Sequence, residues 1–117
     1  GQVHGGVAQG IAQALFEGVI YDPGTGQPVT ANLLDYLVPS AADLPDFIAG
    51  RTTTLCPNNP LGAKGIGESG SVGAPPAVVN AIVDALSDHG VEHIDMPVTP
   101  EKIWSILHEG STERRGS

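Results

Sequence analysis

A chain of 117 residues forms one domain at most, and its 40% hydrophobic content is typical of a globular protein with a modest core. The formal charge of −8, from 13 acidic and five basic residues, argues against a nucleic-acid or anionic-membrane partner, since both require clustered Lys and Arg. No apolar run approaches the roughly 20 residues that span a bilayer. The single cysteine, Cys56, excludes an internal disulfide and indicates a reducing, cytoplasmic setting.

The first element is a helix at residues 3–19, where apolar side chains recur every four positions. Three glycines weaken this helix intrinsically, each by up to about 1 kcal/mol: Gly5, Gly6 and Gly10. Tight packing against another backbone or a ligand would explain them, and a plain glycine-rich core helix is an equal alternative.

The middle of the chain predicts turns and short strands. Asp22-Pro23-Gly24 is a strong turn signal. Alternating apolar side chains at residues 31–38 and a Thr-rich stretch at residues 47–55 predict two strands.

The last third predicts two further helices. One begins at Pro75, whose ring suits a first helical turn, continues to about residue 89 and is stopped by Gly90. The other begins at Thr99, with a capping hydroxyl followed by proline, and ends at Gly110.

Together these elements predict an α+β fold with about three helices and a few short strands, the last of them at residues 93–96. Residues 1–109 are expected to form one folded unit, and the polar residues 110–117 a disordered tail. Because an apolar pattern follows Gly1 almost at once, we expect the chain to be cut from a longer one.

The stretch "NNPLGAKGIGESGSVG" at residues 58–73 is a glycine-rich loop without regular period. It contains G-x-G-x-x-G from Gly65 to Gly70, but a dinucleotide fingerprint needs a buried strand directly before it, and "CPNNPLGAK" precedes it here. Lys64 is likewise not part of the G-x-x-x-x-G-K-[ST] pattern that a phosphate-binding P-loop requires. A backbone cradle for an anionic or polar cofactor remains a third interpretation.

Two polar residues that have glycines as sequence neighbours are candidate site residues. Glu68 is a lone acid within the loop, where a general base is conceivable, although chemistry alone favours an exposed loop acid. Gln2 offers an amide that can hydrogen-bond a ligand without adding charge, and a solvated chain end explains it equally well.

Five segments of the chain, in this order, resemble one known family: "GQVHGGVAQGIAQALFE", "LLDYLVPSAADLP", "CPNNPLGAKGIGESG", "PPAVVNAIVDAL" and "DMPVTPEKIW". They are similar to the C-terminal part of the molybdopterin-binding large subunit of the xanthine oxidase family. The version here looks most like the aerobic carbon monoxide dehydrogenase type. The resemblance covers residues 1–109.

The resemblance implies that Glu68 is the catalytic base, beside a molybdenum whose bound water becomes the oxygen source for oxidation of a small substrate. It also implies contacts to the pterin from Gln2, Lys64, Gly65 and Gly67. The cofactor is expected to be molybdenum-molybdopterin, in the cytosine dinucleotide form. The pterin would hold the metal, so no protein ligand to the metal is expected.

The same resemblance implies partners that this chain lacks. Family large subunits are several times longer, so most of the cofactor pocket lies upstream, and iron–sulfur and flavin centres lie on other subunits or domains. We therefore expect the chain alone to be inactive and to bind no cofactor. The alternatives are a non-catalytic module that only packs against partner chains and, with little support, a self-sufficient nucleotide-binding domain.

Overall fold

The computed structural model describes residues 1–112 and is helical at both ends of that range. Its α-helices are α1 (Gln2–Leu15), α2 (Ser69–Ala85) and α3 (Pro100–Thr112), and two 3₁₀ turns occur at Ala41–Asp43 and Ser87–His89. The three expected helices are therefore present. The predicted tail is helical as far as Thr112, and its remainder, residues 113–117, lies outside the described residues.

Helices α1 and α2 pack in parallel with their backbones in contact. A Cβ added to Gly70 would lie 2.8 Å from the Val7 nitrogen, and one added to Gly10 would lie 2.7 Å from the Ala74 Cβ. Only glycine permits so close an approach. The intrinsic cost of glycine in α1 is thus offset by packing, as the sequence suggested.

Helix α2 begins six residues earlier than predicted. Pro75 and Pro76 lie inside the helix, where each proline removes one backbone hydrogen bond and crowds the preceding turn. Pro75 is buried and its Cδ faces Gly10, since a Cβ there would lie 2.8 Å from it. This tertiary contact compensates for the proline defects, which is why a rule for isolated helices misplaced the start.

A small apolar core joins the ends of the helices. Leu86, Ile94 and Val98 are its buried members, and partly buried side chains surround them: Leu15, Val79, Ile82, Val83, Val91, Ile103 and Ile106. The Val98 nitrogen donates to the Ala14 carbonyl oxygen at 2.7 Å. The segment before α3 is therefore held to the end of α1 by both packing and backbone bonding.

The predicted helix signals after α2 are confirmed locally. Gly90 has a left-handed φ of 75°, as a helix-terminating glycine should. Pro100 is the first residue of α3, and the Lys102 nitrogen donates to the Thr99 hydroxyl at 3.4 Å.

The predicted short strands at residues 31–38, 47–55 and 93–96 are not confirmed, since none of these ranges is in a strand. Within residues 1–112 the β structure is an isolated antiparallel bridge between Tyr21 and Pro28. At residues 31–38 the Asn32 side chain accepts hydrogen bonds from the nitrogens of Leu34 and Asp35, which forms a turn in competition with a strand.

The molecule is elongated, and much of its apolar surface is exposed. Its Cα radius of gyration is 18.8 Å, whereas a compact chain of about 100 residues has about 13 Å. Leu33, Leu34 and Leu61 are more than four-fifths exposed. None of the helices in residues 1–112 has the length and apolar character needed to cross a membrane.

Candidate functional site

Glu68 stands at the junction between the glycine-rich loop and α2. It is the N-cap residue of α2, and its carbonyl oxygen accepts hydrogen bonds from the Val72 nitrogen at 2.9 Å and the Ser71 hydroxyl at 3.0 Å. Its side chain does not cap the helix and is exposed. The backbone of Glu68 is thus fixed by α2, while its carboxylate remains accessible to a bound molecule.

Gln2 lies at the same end of the helix pair. Its side-chain nitrogen donates to the carbonyl oxygen of Gly67 at 2.8 Å, which joins residues 65 positions apart in the sequence. Because α1 and α2 are parallel, both helices begin at this end. The structure therefore brings together Gln2, Gly67 and Glu68, three of the five predicted site residues.

Lys64 and Gly65, the other two predicted residues, are exposed on the loop that leads to Glu68. Among the described residues no hydrogen bond or ion pair joins them to Gln2 or Glu68. The loop is braced just before them, because the Asn59 amide donates to the Ala63 carbonyl at 3.0 Å and accepts from its nitrogen at 2.9 Å.

The strand required by a dinucleotide fingerprint is not present before Gly65. Residues 57–68 are turns and irregular backbone. What the site offers instead is one accessible carboxylate next to an amide side chain and an open, glycine-rich backbone. A carboxylate so placed can accept a proton from a molecule bound against the loop.

Residues 1–45 match the family described as molybdopterin cofactor-binding domain. The carbon monoxide dehydrogenase large chain of Hydrogenophaga pseudoflava is 39% identical over 109 residues, which cover 93% of this chain and 13% of that protein. The 6-hydroxypseudooxynicotine dehydrogenase complex subunit gamma of Paenarthrobacter nicotinovorans is 45% identical, over 90% of this chain and 13% of its own length.

Solved structures agree with the relatives. Quinoline 2-oxidoreductase from Pseudomonas putida 86 superimposes with a TM-score of 0.84 at 46% identity, over 92% of this chain and 14% of that one. The chain is homologous to a segment of molybdenum hydroxylase large subunits. Carbon monoxide dehydrogenase from Oligotropha carboxidovorans superimposes with a TM-score of 0.88 at 34% identity, over 96% of this chain and 14% of that one.

This chain spans only about an eighth of the length of the curated relatives that it matches. In the relatives, a much longer chain therefore accompanies the segment that corresponds to it. The resemblance drawn from the sequence is confirmed.

The residues around Glu68 fit a pterin cofactor in their chemistry. A Cβ added to Gly65 or Gly67 would meet no atom within 4 Å, so the backbone there is open to close approach by a ligand. Gln2 supplies a neutral amide and Lys64 a cation suited to phosphate. Within the described residues no group of three or more His, Cys, Asp or Glu side chains gathers as for a metal ion.

Sequence reasoning missed residues that position the site without lining it. Gly70, together with Gly6 and Gly10, sets the distance between the helices that carry Glu68 and Gln2. The signal was present as small residues spaced four apart in both segments, Gly6 to Gly10 and Gly70 to Ala74. Asn59, which braces the loop, gave no signal beyond its preference for turns.

Proposed function

We propose that this chain is part of the large subunit of a molybdenum-dependent oxidoreductase, in which Glu68 is the catalytic base. The enzyme would oxidise a small substrate with water as the source of oxygen. Gln2, Lys64, Gly65 and Gly67 would hold the cofactor, which would supply an acidified oxygen donor and an electron acceptor. The carboxylate of Glu68 would accept the proton released from that oxygen donor.

The observation that carries this proposal is the geometry of Glu68. Its backbone is held by the first turn of α2, and its exposed carboxylate stands at the open end of the helix pair, next to the loop that fits the cofactor. A base needs a fixed backbone and an accessible carboxylate, and a surface acid needs neither.

We assign the pterin contacts to Gln2, Lys64, Gly65 and Gly67. One N–H of the Gln2 side chain donates to Gly67, so its second N–H can donate to the cofactor and its oxygen can accept from it. Lys64 is suited to the phosphates of a cytosine dinucleotide form, and Gly65 and Gly67 leave room for the cofactor to approach.

The partners of the chain follow from its exposed apolar surface. Leu33, Leu34 and Ile48 are between 82% and 101% exposed, which is a poor state for a free protein. We assign their cover to the remainder of the large subunit. Iron–sulfur and flavin subunits would complete the electron path, in a cytoplasmic enzyme.

The proposal is tested by Glu68→Gln in the assembled holoenzyme. Turnover is measured on carbon monoxide, nicotine, quinoline and xanthine, compounds that appear in the names of the relatives. We expect molybdenum content to be unchanged and kcat to fall about 10²- to 10⁴-fold, because a base is lost and no ligand is removed. Near-normal turnover would overturn the assignment of Glu68.

A non-catalytic module that only packs against partner chains is the second candidate, favoured by the same exposed apolar side chains. Elemental mass spectrometry separates the two. The enzyme proposal expects stoichiometric molybdenum in the holoenzyme and none in the purified 117-residue chain. A complex of this chain with its partners that holds no molybdenum and turns over none of the four compounds would favour the packing module.

A further inference from the structure

The hydrogen bond from Gln2 reaches the peptide group that carries Glu68. The acceptor is the carbonyl of Gly67, and this carbonyl belongs to the same planar unit as the nitrogen of Glu68. A bond at 2.8 Å from a side chain on α1 therefore restrains the orientation of that plane. The same peptide unit also lies within a turn, because the Ser69 nitrogen and hydroxyl donate to the Ile66 carbonyl oxygen at 3.3 and 3.0 Å.

The other side of Glu68 is restrained by α2. Its own carbonyl oxygen accepts from both Ser71 and Val72. On the loop side, Gln2 adds to the local turn a restraint that comes from a different helix, at a stretch where glycines at positions 65 and 67 permit many backbone conformations.

The position of Gln2 relative to Gly67 is set by the helix contact. A Cβ on Gly70 would lie 2.8 to 3.0 Å from backbone atoms of Gly6 and Val7, so the two helix backbones are in direct contact at this point. Gln2 lies one turn before Gly6, and Gly67 three residues before Gly70. The amide and its acceptor are thus held in register by packing as well as by their own bond.

We propose that Gln2 is a positioning residue that acts on the reaction through the Gly67 carbonyl, by fixing the peptide unit from which the Glu68 carboxylate is presented. This inference rests on the proposed role of Glu68 as base. It assigns one N–H of the Gln2 side chain to Gly67 and leaves the rest of the amide for the cofactor. Molybdenum content measures the cofactor contact and kcat per molybdenum measures the positioning role, so the two roles are separable by experiment.

The first test is Gln2→Met in the holoenzyme, which keeps side-chain length and removes the donor. Gln9→Met, an exposed glutamine on the same helix, is the matched control. We expect kcat per molybdenum to fall about 10- to 100-fold in Gln2→Met, because small misplacements of a reacting group cost that much, and to stay unchanged in Gln9→Met. Reduced molybdenum content with unchanged kcat per molybdenum would overturn the proposal and leave Gln2 as a cofactor contact only.

The second test combines Gln2→Met with Glu68→Gln. If Gln2 acts through Glu68, the substitution of Gln2 has no further effect on kcat per molybdenum once the base is gone. A merely structural role would lower kcat by the same factor in both backgrounds. Multiplying effects would therefore overturn the proposal.

The third test needs no turnover. Amide hydrogen exchange in holoenzyme peptides that span residues 64–70 is expected to be several-fold faster in Gln2→Met than in Gln9→Met. Gly70→Ala, which must displace backbone, should give the same acceleration, and Gly73→Ala, which meets no atom within 4 Å, should not. Unchanged exchange in Gln2→Met would overturn the proposal, whatever Gly70→Ala shows.

The two proposals fail in different ways. Near-normal turnover of Glu68→Gln would overturn the catalytic role of Glu68, whatever the exchange data show. Unaltered exchange at residues 64–70 in Gln2→Met would overturn the positioning role of Gln2 alone, since Glu68 could still act as base.

Discussion

Two regions of the molecule are held together differently. One is the helix pair formed by α1 and α2, and the other is the segment that connects these helices, residues 16–68. In the helix pair, glycines bring two backbones into contact, and Ala12, Ala14 and Ala74 are buried. In residues 16–68 none of the apolar side chains is buried. Much of the order there comes from short-range hydrogen bonds, such as those that the Thr25 nitrogen and hydroxyl donate to the Asp22 carboxylate.

This difference shows which parts of the chain are stabilised by contacts within the chain itself. Helix contacts bury apolar surface and need no other chain. Local turns satisfy backbone groups yet bury little, so they fix the shape of residues 16–68 without providing stability of their own. The site lies where the two regions meet, with Gln2 on α1 and Glu68 at the end of the intervening segment.

The largest expected effect compares the two regions directly. Leu86→Ala should lower the free energy of unfolding by about 3 kcal/mol, because Leu86 is 6% exposed within the core. Leu34→Ala, at a side chain 89% exposed, should change it by less than about 0.5 kcal/mol. Urea unfolding of the 117-residue chain measures both. Equal costs would contradict the contrast drawn between the regions.

The second effect concerns the glycines of α1. Gly10→Ala should destabilise by about 2 kcal/mol, since its Cβ would lie 2.7 Å from the Ala74 Cβ. Gly5→Ala, whose Cβ meets nothing within 4 Å, should instead stabilise by about 0.5–1 kcal/mol through helix propensity. Thermal unfolding should show shifts of opposite sign. A stabilising Gly10→Ala would mean that the helices are not in backbone contact.

A smaller effect is expected from the brace of the site loop. Asn59→Ala removes both bonds to Ala63 and should cost about 1 kcal/mol. Asn58→Ala, at its exposed neighbour, serves as the control and should be neutral. Amide exchange at Ala63 reports the change. Equal exchange rates in the two variants would exclude Asn59 as the brace.

The smallest effect is a pH dependence in the turn at residues 22–25. Hydrogen bonds from the Thr25 side chain and nitrogen, and then from the Gly24 nitrogen, lower the pKa of Asp22 below its ordinary value. The charged carboxylate therefore stabilises the turn fully at pH values above the ordinary carboxyl pKa. That stabilisation is lost as the pH falls through the lowered pKa. Titration of the Asp22 carboxyl group by NMR measures this pKa.

Thr25→Val is the matched control for that titration. It removes the side-chain hydroxyl, which is the largest cause of the shift, and leaves the backbone donors. The pKa of Asp22 should therefore rise towards its ordinary value. An unchanged titration would mean that the turn is not formed in solution.

Local signals were sufficient for some of the fold. Thr99-Pro100 marked the start of α3, and Gly90 the stop after α2, because capping and left-handed glycines depend on neighbours in sequence. Gln2 and Glu68 were predicted as site residues from the family resemblance, and nothing local indicated that Gln2 would reach the Gly67 carbonyl, 65 positions away.

The strands were mispredicted for a physical reason. Alternation at residues 31–38 shows only that such a segment could pair, and pairing needs a neighbouring strand that the described residues do not provide. The turn held by the Asn32 side chain then prevails. The start of α2 was mispredicted for the opposite reason. Local chemistry places proline in the first turn of a helix, but burial of Pro75 against Gly10 offsets the cost of a proline inside α2.

The sequence by itself determined the three helices, the turns and the family resemblance, since each depends on local chemistry or on residues kept in order along the chain. Only the tertiary structure decided that Gly6 and Gly10 meet Gly70 and Ala74 across parallel helices. It alone placed Gln2 against the peptide unit of Glu68. Contacts between distant segments depend on how two backbones pack, and no local pattern specifies that distance or register.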